Sequence, residues 1–338
     1  MKMRKIVCSF MISVVCFMTA ISGVSATSYD TSKINAAYSK VVEYYKNNNN
    51  LNNADKILAV ESLGLEAESN QFDTSSADLS STSLSKKIVT EVLLGVDPTE
   101  DKKTLESQID ENGNVEGSWG ASSDVWTLYA LYVTSSEKTN LIANKLNDEL
   151  AASSVCGYEW GGTYYADYDT TGWVIEGLAV VNKEKYATTI NKAIDYIKNN
   201  TTMTTTGWVT ADNVDTQSQV LEGMFAYDTN ALLNDSYTVH PVDCLLNTQL
   251  SDGSFPSGYN AEYTTAEVAK TLGTYKNGSV IIKAKKAYDK MMNPEQPDNT
   301  KPAQPTDTKK DSQSTNKVET TNQKTTSVKT GDETNVVI

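Results

Sequence analysis

Arginine is all but missing from this chain: Arg4 is the only one in 338 residues. The guanidinium is the usual bidentate clamp for carboxylate and phosphate, so an enzyme for anionic substrates would be poorly equipped here. Positive charge as a whole is scarce, with 29 Lys and Arg against 43 Asp and Glu and a formal charge of −14. That balance disfavours nucleic acid as a partner. Histidine is reduced to His240, and four cysteines complete the short supply of metal-ligating side chains. Two of those, Cys8 and Cys16, lie in the one long apolar run, from Ile6 to Ile21.

That run follows Lys2, Arg4 and Lys5 and precedes the small-residue step Val24-Ser25-Ala26, so residues 1–26 read as a secretory signal with the mature chain starting near Thr27. Cys16 stands behind Val14-Val15 rather than behind small residues, which argues against a lipoprotein signal. Cleavage removes three cations and two cysteines. Cys156 and Cys244 remain, open to a bridge outside the cell or to two separate thiols.

What is present in quantity is helical periodicity. Residues 31–46 place Ile34, Ala37, Tyr38, Val41, Val42 and Tyr45 on one stripe, as an outer helix that meets one side of a core. Residues 54–65 are short and apolar, suiting an inner partner. A third helix over residues 84–94 stops at Gly95-Val96-Asp97-Pro98. Outer segments come next at residues 105–109, 141–150, 186–197 and 239–250. Inner helices start near residues 54, 84, 124, 170, 215 and 264, and their apolar residues cover nearly every face, as for a helix with protein on all sides.

The register residues Leu94, Leu131, Leu178, Met224 and Leu272 are spaced by 37, 47, 46 and 48. A period of this length marks a repeat architecture whose unit is one supersecondary element, here an outer–inner helix pair. The expectation is an all-α domain over residues 27–292, either an open superhelix or a closed α/α toroid of about six inner and six outer helices. The all-round apolar inner helices favour the ring. After Met292 the composition turns to Pro, Thr, Lys, Asp, Asn, Ser and Gln, predicting a disordered C-terminal tail over residues 293–338. Within it Ser327-Val328-Lys329-Thr330-Gly331-Asp332 resembles the Thr-Gly cleavage site of Gram-positive sortase signals. It departs from them at Ser327-Val328, where a Leu-Pro or similar pair is usual. Cleavage would fall between Thr330 and Gly331, joining the Thr330 carbonyl to peptidoglycan and releasing the segment from Gly331, which would place the protein at the cell wall or surface of a Gram-positive bacterium.

Several stretches resemble the prenyltransferase/squalene-cyclase repeat, the terpene-cyclase-type toroid, and its secreted Gram-positive relatives. Gln249-Leu250-Ser251-Asp252-Gly253-Ser254-Phe255 is similar to the Gln…Gly-x-Trp signature with Phe for Trp, and Gly117-Ser118-Trp119-Gly120 and Trp160-Gly161-Gly162 resemble its glycine-aromatic end. Asp167-Tyr168-Asp169-Thr170-Thr171 resembles the Asp-x-Asp-Asp-Thr motif of class II cyclases. The resemblance makes Asp169 the acid that protonates an alkene or epoxide and Asp167 its first aspartate, while Thr170 stands where a further Asp belongs. Protonating an alkene needs an acid held neutral by its surroundings, and one lost carboxylate weakens that. Helix capping accounts for Asp169 without chemistry, as it does for Asp124 and Asp215 at two other inner helices. Zinc prenyltransferases share the architecture but need Asp, Cys and His ligands and cations for diphosphate. His240 before Pro241 is a structural residue, so no metal and no cofactor is expected.

Aromatic residues form the other constellation. Trp126 and Tyr129 on one inner helix and Trp173 on the next, with Trp119, Trp160, Tyr164, Tyr165 and Trp208 in entering loops, either pack the core or line a central cavity whose π faces would stabilise carbocations, stack on sugars or hold an apolar ligand. Asp124, Asp215 and Gln219 complete the candidate ligand-binding set. Three functions compete. The first is an exported, non-catalytic toroid module that binds a small apolar ligand or a macromolecular surface partner. The second is a cyclase-like enzyme with Asp169 as acid, whose isoprenoid substrates are made inside the cell. The third is a carbohydrate-active enzyme using a carboxylate pair among Asp124, Asp167, Asp169, Asp215 and Glu262. The first is favoured by export, the tail and Thr170.

Overall fold

The structure is a computed structural model that describes residues 29–68, 80–200 and 213–294. The chain divides into two units, Met1–Glu295 and Gln296–Ile338. The signal sequence, Trp208 and the tail with Thr330 and Gly331 lie outside the described residues.

The fold is all-α. Eleven helices occur among the described residues: α1 (Thr31–Asn47), α2 (Ala54–Ser62), α3 (Ser81–Leu93), α4 (Thr99–Ser107), α5 (Ala121–Val133), α6 (Thr139–Ser153), α7 (Tyr168–Asn200), α8 (Val214–Asn234), α9 (Pro241–Leu246), α10 (Ala261–Asn277) and α11 (Val280–Met292). Short polar residues set their starts. Asp30, Asn53, Ser80, Asn213 and Asn260 each accept a backbone N–H of the first turn of α1, α2, α3, α8 and α10, relieving donors that have no partner inside the helix. Two helices are double. α7 breaks at Asn182 and α8 at Asp228, where the backbone leaves helical angles and the side chain caps the second segment, accepting from Lys185 and Ala231 respectively.

Six helices pack in cyclic succession: α2 on α3, α3 on α5, α5 on α7, α7 on α8, α8 on α10, and α10 back on α2. α1, α4, α6 and α9 lie against this set from outside, α1 on α10 and α9, α4 on α3, α6 on α5 and α7. The seam between α7 and α8 is close enough to need glycine. A Cβ on Gly223 would sit 2.3 Å from the carbonyl oxygen of Gly172, and one on Gly172 would sit 2.5 Å from that of Gln219.

Two elements depart from the sequence reading. The glycine-rich entry to α7 is an antiparallel hairpin, β1 (Gly157–Trp160) and β2 (Thr163–Ala166), not a loop. Gly161 and Gly162 make its two-residue turn with positive φ at both, the geometry that matches strand twist. The last helix, α11, has no counterpart in the repeat pattern. It touches α2, α3, α5 and α10, so it spans one end of the cycle. There the Ser279 hydroxyl donates to Glu176 at 2.6 Å and the Lys283 ammonium lies 2.6 Å from Glu61.

The Gln249-to-Phe255 motif has a plain role in the fold. The Gln249 amide donates to the carbonyls of Ala37 (3.0 Å) and Gly253 (3.1 Å), which ties the turn to α1. Phe255 is fully buried behind it. His240 is likewise structural: its ring accepts the Val242 N–H at 3.2 Å at the start of α9 and lies between Tyr29 and Tyr237.

Candidate functional site at the start of the inner helices

The residues facing the middle of the cycle can be read from the register. Counting back nine, five and two positions from Leu131, Leu178, Met224 and Leu272 gives Ser122, Trp126 and Tyr129 on α5; Asp169, Trp173 and Glu176 on α7; Asp215, Gln219 and Glu222 on α8; and Tyr263, Glu267 and Lys270 on α10. Positions i, i+4 and i+7 share one helix face. Bonds between neighbouring helices confirm that these faces converge. Gln219 donates to Glu267 at 3.2 Å and to the Tyr263 hydroxyl at 3.3 Å, and Tyr129 donates to Glu176 at 3.0 Å. The Lys270 ammonium lies 3.0 Å from Glu267 and 3.8 Å from Glu222.

The inner helices are therefore not apolar all round, as their sequences suggest. Their inward stripe carries charge, and Glu176, Glu222, Glu267 and Lys270 are each no more than 3% exposed. Burial pushes Glu222 well above the ordinary carboxylate range and Glu176 upward, with Lys270 pulling both down. Lys270 itself is raised despite burial, because Glu267, Glu222 and Asp55 surround it. Its ammonium stands 5.4 Å from the Trp126 ring centre and that of Lys86 4.5 Å from it, so this indole serves two cations. The centre of the cycle thus holds three buried carboxylates around one ammonium, and Oε2 of Glu222 and Oε1 of Glu267 accept no hydrogen bond.

The predicted catalytic pair divides on inspection. Asp167, not Asp169, caps α7: its carboxylate accepts the Thr170 N–H at 2.6 Å and the Thr170 hydroxyl at 3.0 Å. Asp169 lies one turn nearer the helix start than Trp173. Burial lifts it to about 7, Asp167, Asp215 and Glu267 add to the shift, and a hydrogen bond from Thr216 opposes it. Asp215 likewise does not cap α8; Asn213 does. Burial and the nearby Asp215 carboxylate together raise the Tyr259 hydroxyl. Asp124 is removed from any open surface. It is fully buried, accepts from Ser118 at 2.6 Å and pairs with Lys145 at 2.9 Å. Glu262 is exposed and pairs with Lys56 at 2.8 Å.

Beside Asp169 and Trp173 the stripe opens into a cleft of about 410 Å³ lined by Thr82, Lys86, Trp119, Ser122, Trp126 and Trp173, among others. Its volume falls in the usual range for small-molecule sites. Trp126 forms a buried wall, its ring 5.9 Å from that of Trp173. Trp119 is 57% exposed and its ring centre lies 5.7 Å from that of Trp160, itself 62% exposed on the hairpin. The site thus unites Trp126 and Trp173 from the expected ligand set with Trp119, while Tyr129 and Gln219 are committed to the buried network and Asp215 does not line the cleft. Lys86 and the hydroxyls of Thr82 and Ser122 were missed. Their signal was the same i, i+4 spacing on α3 and α5, which marks the inward face whatever the residue type.

Among the described residues no group of three or more His, Cys, Asp and Glu is placed to hold a metal ion, and no helix is long and apolar enough to cross a membrane. Cys156 is buried and forms no disulfide with Cys244. No protein family model, curated protein or solved structure matches the chain.

Proposed function

We propose that the protein is an exported, envelope-attached binding module on an α/α toroid related to the prenyltransferase/squalene-cyclase repeat, with its ligand held in the tryptophan cleft. The cyclic packing of six helices against outer partners supports the toroid. One observation supports binding over turnover: the axis below the cleft is occupied by the buried side chains of Glu176, Glu222, Glu267 and Lys270, with one ammonium shared between two carboxylates, where a cyclase needs a chamber that folds a polyene. Export and wall attachment rest on the first 26 residues and on Thr330-Gly331.

Two measurements test this reading. Native mass spectrometry of the protein recovered from culture medium should reveal a bound mass that Trp173→Ala loses; identical spectra from both proteins would count against the cleft. Incubation with squalene or a prenyl diphosphate should give no cyclised product in either the parent or Asp169→Asn. A turnover that Asp169→Asn abolishes would overturn the module reading. That second reading, a cyclase-like acid, draws its support from the elevated Asp169 carboxyl, which keeps a proton near neutrality.

A further inference from the structure

Equivalent motifs treat their aromatic residue in opposite ways. Gly253-Ser254-Phe255 sends its ring fully into the core, whereas Gly117-Ser118-Trp119 leaves an indole 57% exposed. Trp160, which opens the Trp160-Gly161-Gly162 step, is 62% exposed. Large apolar rings gain free energy by burial, so two adjacent indoles held outward, at the lip of a cleft, mark a surface shaped for something else.

That surface is rigidly mounted. The Glu159 N–H of β1 donates to the Trp119 carbonyl at 2.9 Å, joining the hairpin to the loop before α5. The Trp119 N–H donates in turn to the Ser123 hydroxyl at 3.1 Å, and the Tyr164 hydroxyl donates to Glu149 on α6 at 2.9 Å. Tyr158 and Tyr165 stack across the strands at 5.6 Å. A backbone fixed before binding loses little entropy when a ligand arrives.

We infer that the cleft and the hairpin bind a neutral saccharide chain, seated against Trp119 and Trp173 and continuing over Trp160. This rests on the cleft being the binding site. The chemistry narrows the ligand by exclusion. Lys86, the one charged side chain among the residues named for the cleft, is neutralised by Asp55 at 2.8 Å, so the site offers no net charge to an ion. A polyanion would also meet a protein of formal charge −14. A lipid would bury the half-exposed hydroxyls of Thr82 and Ser122 without partners, which is costly. A pyranoside fits both halves: its C–H faces lie on indoles and its hydroxyls exchange hydrogen bonds with those side chains. The Trp119–Trp160 separation of 5.7 Å is close to the length of one sugar ring, so neighbouring units can each meet an indole.

The test is calorimetric titration of the full chain with cellohexaose and chitohexaose, both neutral and β-1,4-linked, beside cellobiose and chitobiose. The parent should bind at least one hexaose. Trp119→Ala should weaken hexaose and disaccharide alike by tenfold or more. Trp160→Ala should weaken the hexaose several-fold and leave the disaccharide unchanged, since Trp160 stands outside the cleft. Circular dichroism melts of each variant identify loss of fold, and Trp119→Phe, which keeps an aromatic face, should retain most of the affinity. A parallel titration uses the uncharged apolar dye N-phenyl-1-naphthylamine. If the dye binds in a Trp119-dependent way and no oligosaccharide does, the saccharide inference fails and the cleft stands. If neither binds, both fail. Equal effects of Trp160→Ala on hexaose and disaccharide would overturn the proposed path over the hairpin.

Discussion

Lys270→Met removes the only ammonium that faces Glu222 and Glu267 within ion-pair distance among the described residues. All three groups are at most 3% exposed, so water does not replace the lost partner. Breaking a buried pair from one side costs about 3–5 kcal/mol, because the remaining charge is left in a poorly solvating medium. With a urea dependence of roughly 1–3 kcal/mol per molar, the midpoint of unfolding at pH 7 should fall by at least about 1 M, with the slope unchanged. The deficit has a signature in pH. Glu222 already stands well above its ordinary 4.5, and losing Lys270, which pulls it down, raises it further than in the parent. A raised folded value stabilises below the unfolded value and loses that contribution as pH rises. The deficit should therefore be small near pH 4.5 and grow as pH rises through the neutral range. Adding Glu267→Gln should restore part of the stability at pH 7, since one uncompensated charge is gone. A Lys270→Met protein with an unchanged midpoint, or a deficit independent of pH, would refute the account of the ring centre.

The same geometry sets three further outcomes. Asp167→Ala removes the cap of α7 and should cost about 1 kcal/mol, seen as a lower melting temperature, while Asp169→Ala should not cost a cap. Asp169→Asn should be more stable than the parent at pH 8 and lose that advantage towards pH 4, because Asp169, held at about 7 against an ordinary 3.8, stabilises the fold only while protonated; a stability difference that does not change with pH would refute this. Gly223→Ala should destabilise by about 1–3 kcal/mol or more, since its Cβ would lie 2.3 Å from a backbone carbonyl of α7; a neutral effect in urea unfolding would show that α7 and α8 are not so closely packed.

Much of this fold was legible in the sequence because large apolar residues recur along it at helical spacing. Residues 94, 131, 178, 224 and 272 marked five inner helices and the apolar run from Ala54 marked the sixth, all to within three residues at their starts, and five of the outer segments were found. What the same register could not say is which face of an inner helix meets the middle. Averaged over all faces these helices are apolar, so Glu176, Glu222 and Lys270 read as exceptions, whereas in the fold they are one stripe. The Asp167-Tyr168-Asp169 step shows a second limit. Either carboxylate can cap by spacing alone, and only backbone angles decide; the cap fell to Asp167, leaving Asp169 as the elevated group. α11 escaped because it comes after α10 without the loop and glycine-aromatic step of the other pairs, though Val280, Ile281 and Ala284 carry a buried stripe. The hairpin was visible in Trp160-Gly161-Gly162-Thr163 between tyrosine-rich segments, and was hidden by reading glycine there only as loop.

The claim that ligand enters the tryptophan cleft is open to one direct test. The protein is labelled with 5-fluorotryptophan, its resonances are assigned by single Trp→Phe variants, and it is titrated with chitohexaose and cellohexaose under fluorine NMR. The Trp119, Trp160 and Trp173 signals should shift together and saturably with at least one of the two sugars. Saturable binding that leaves those three signals in place would contradict the account.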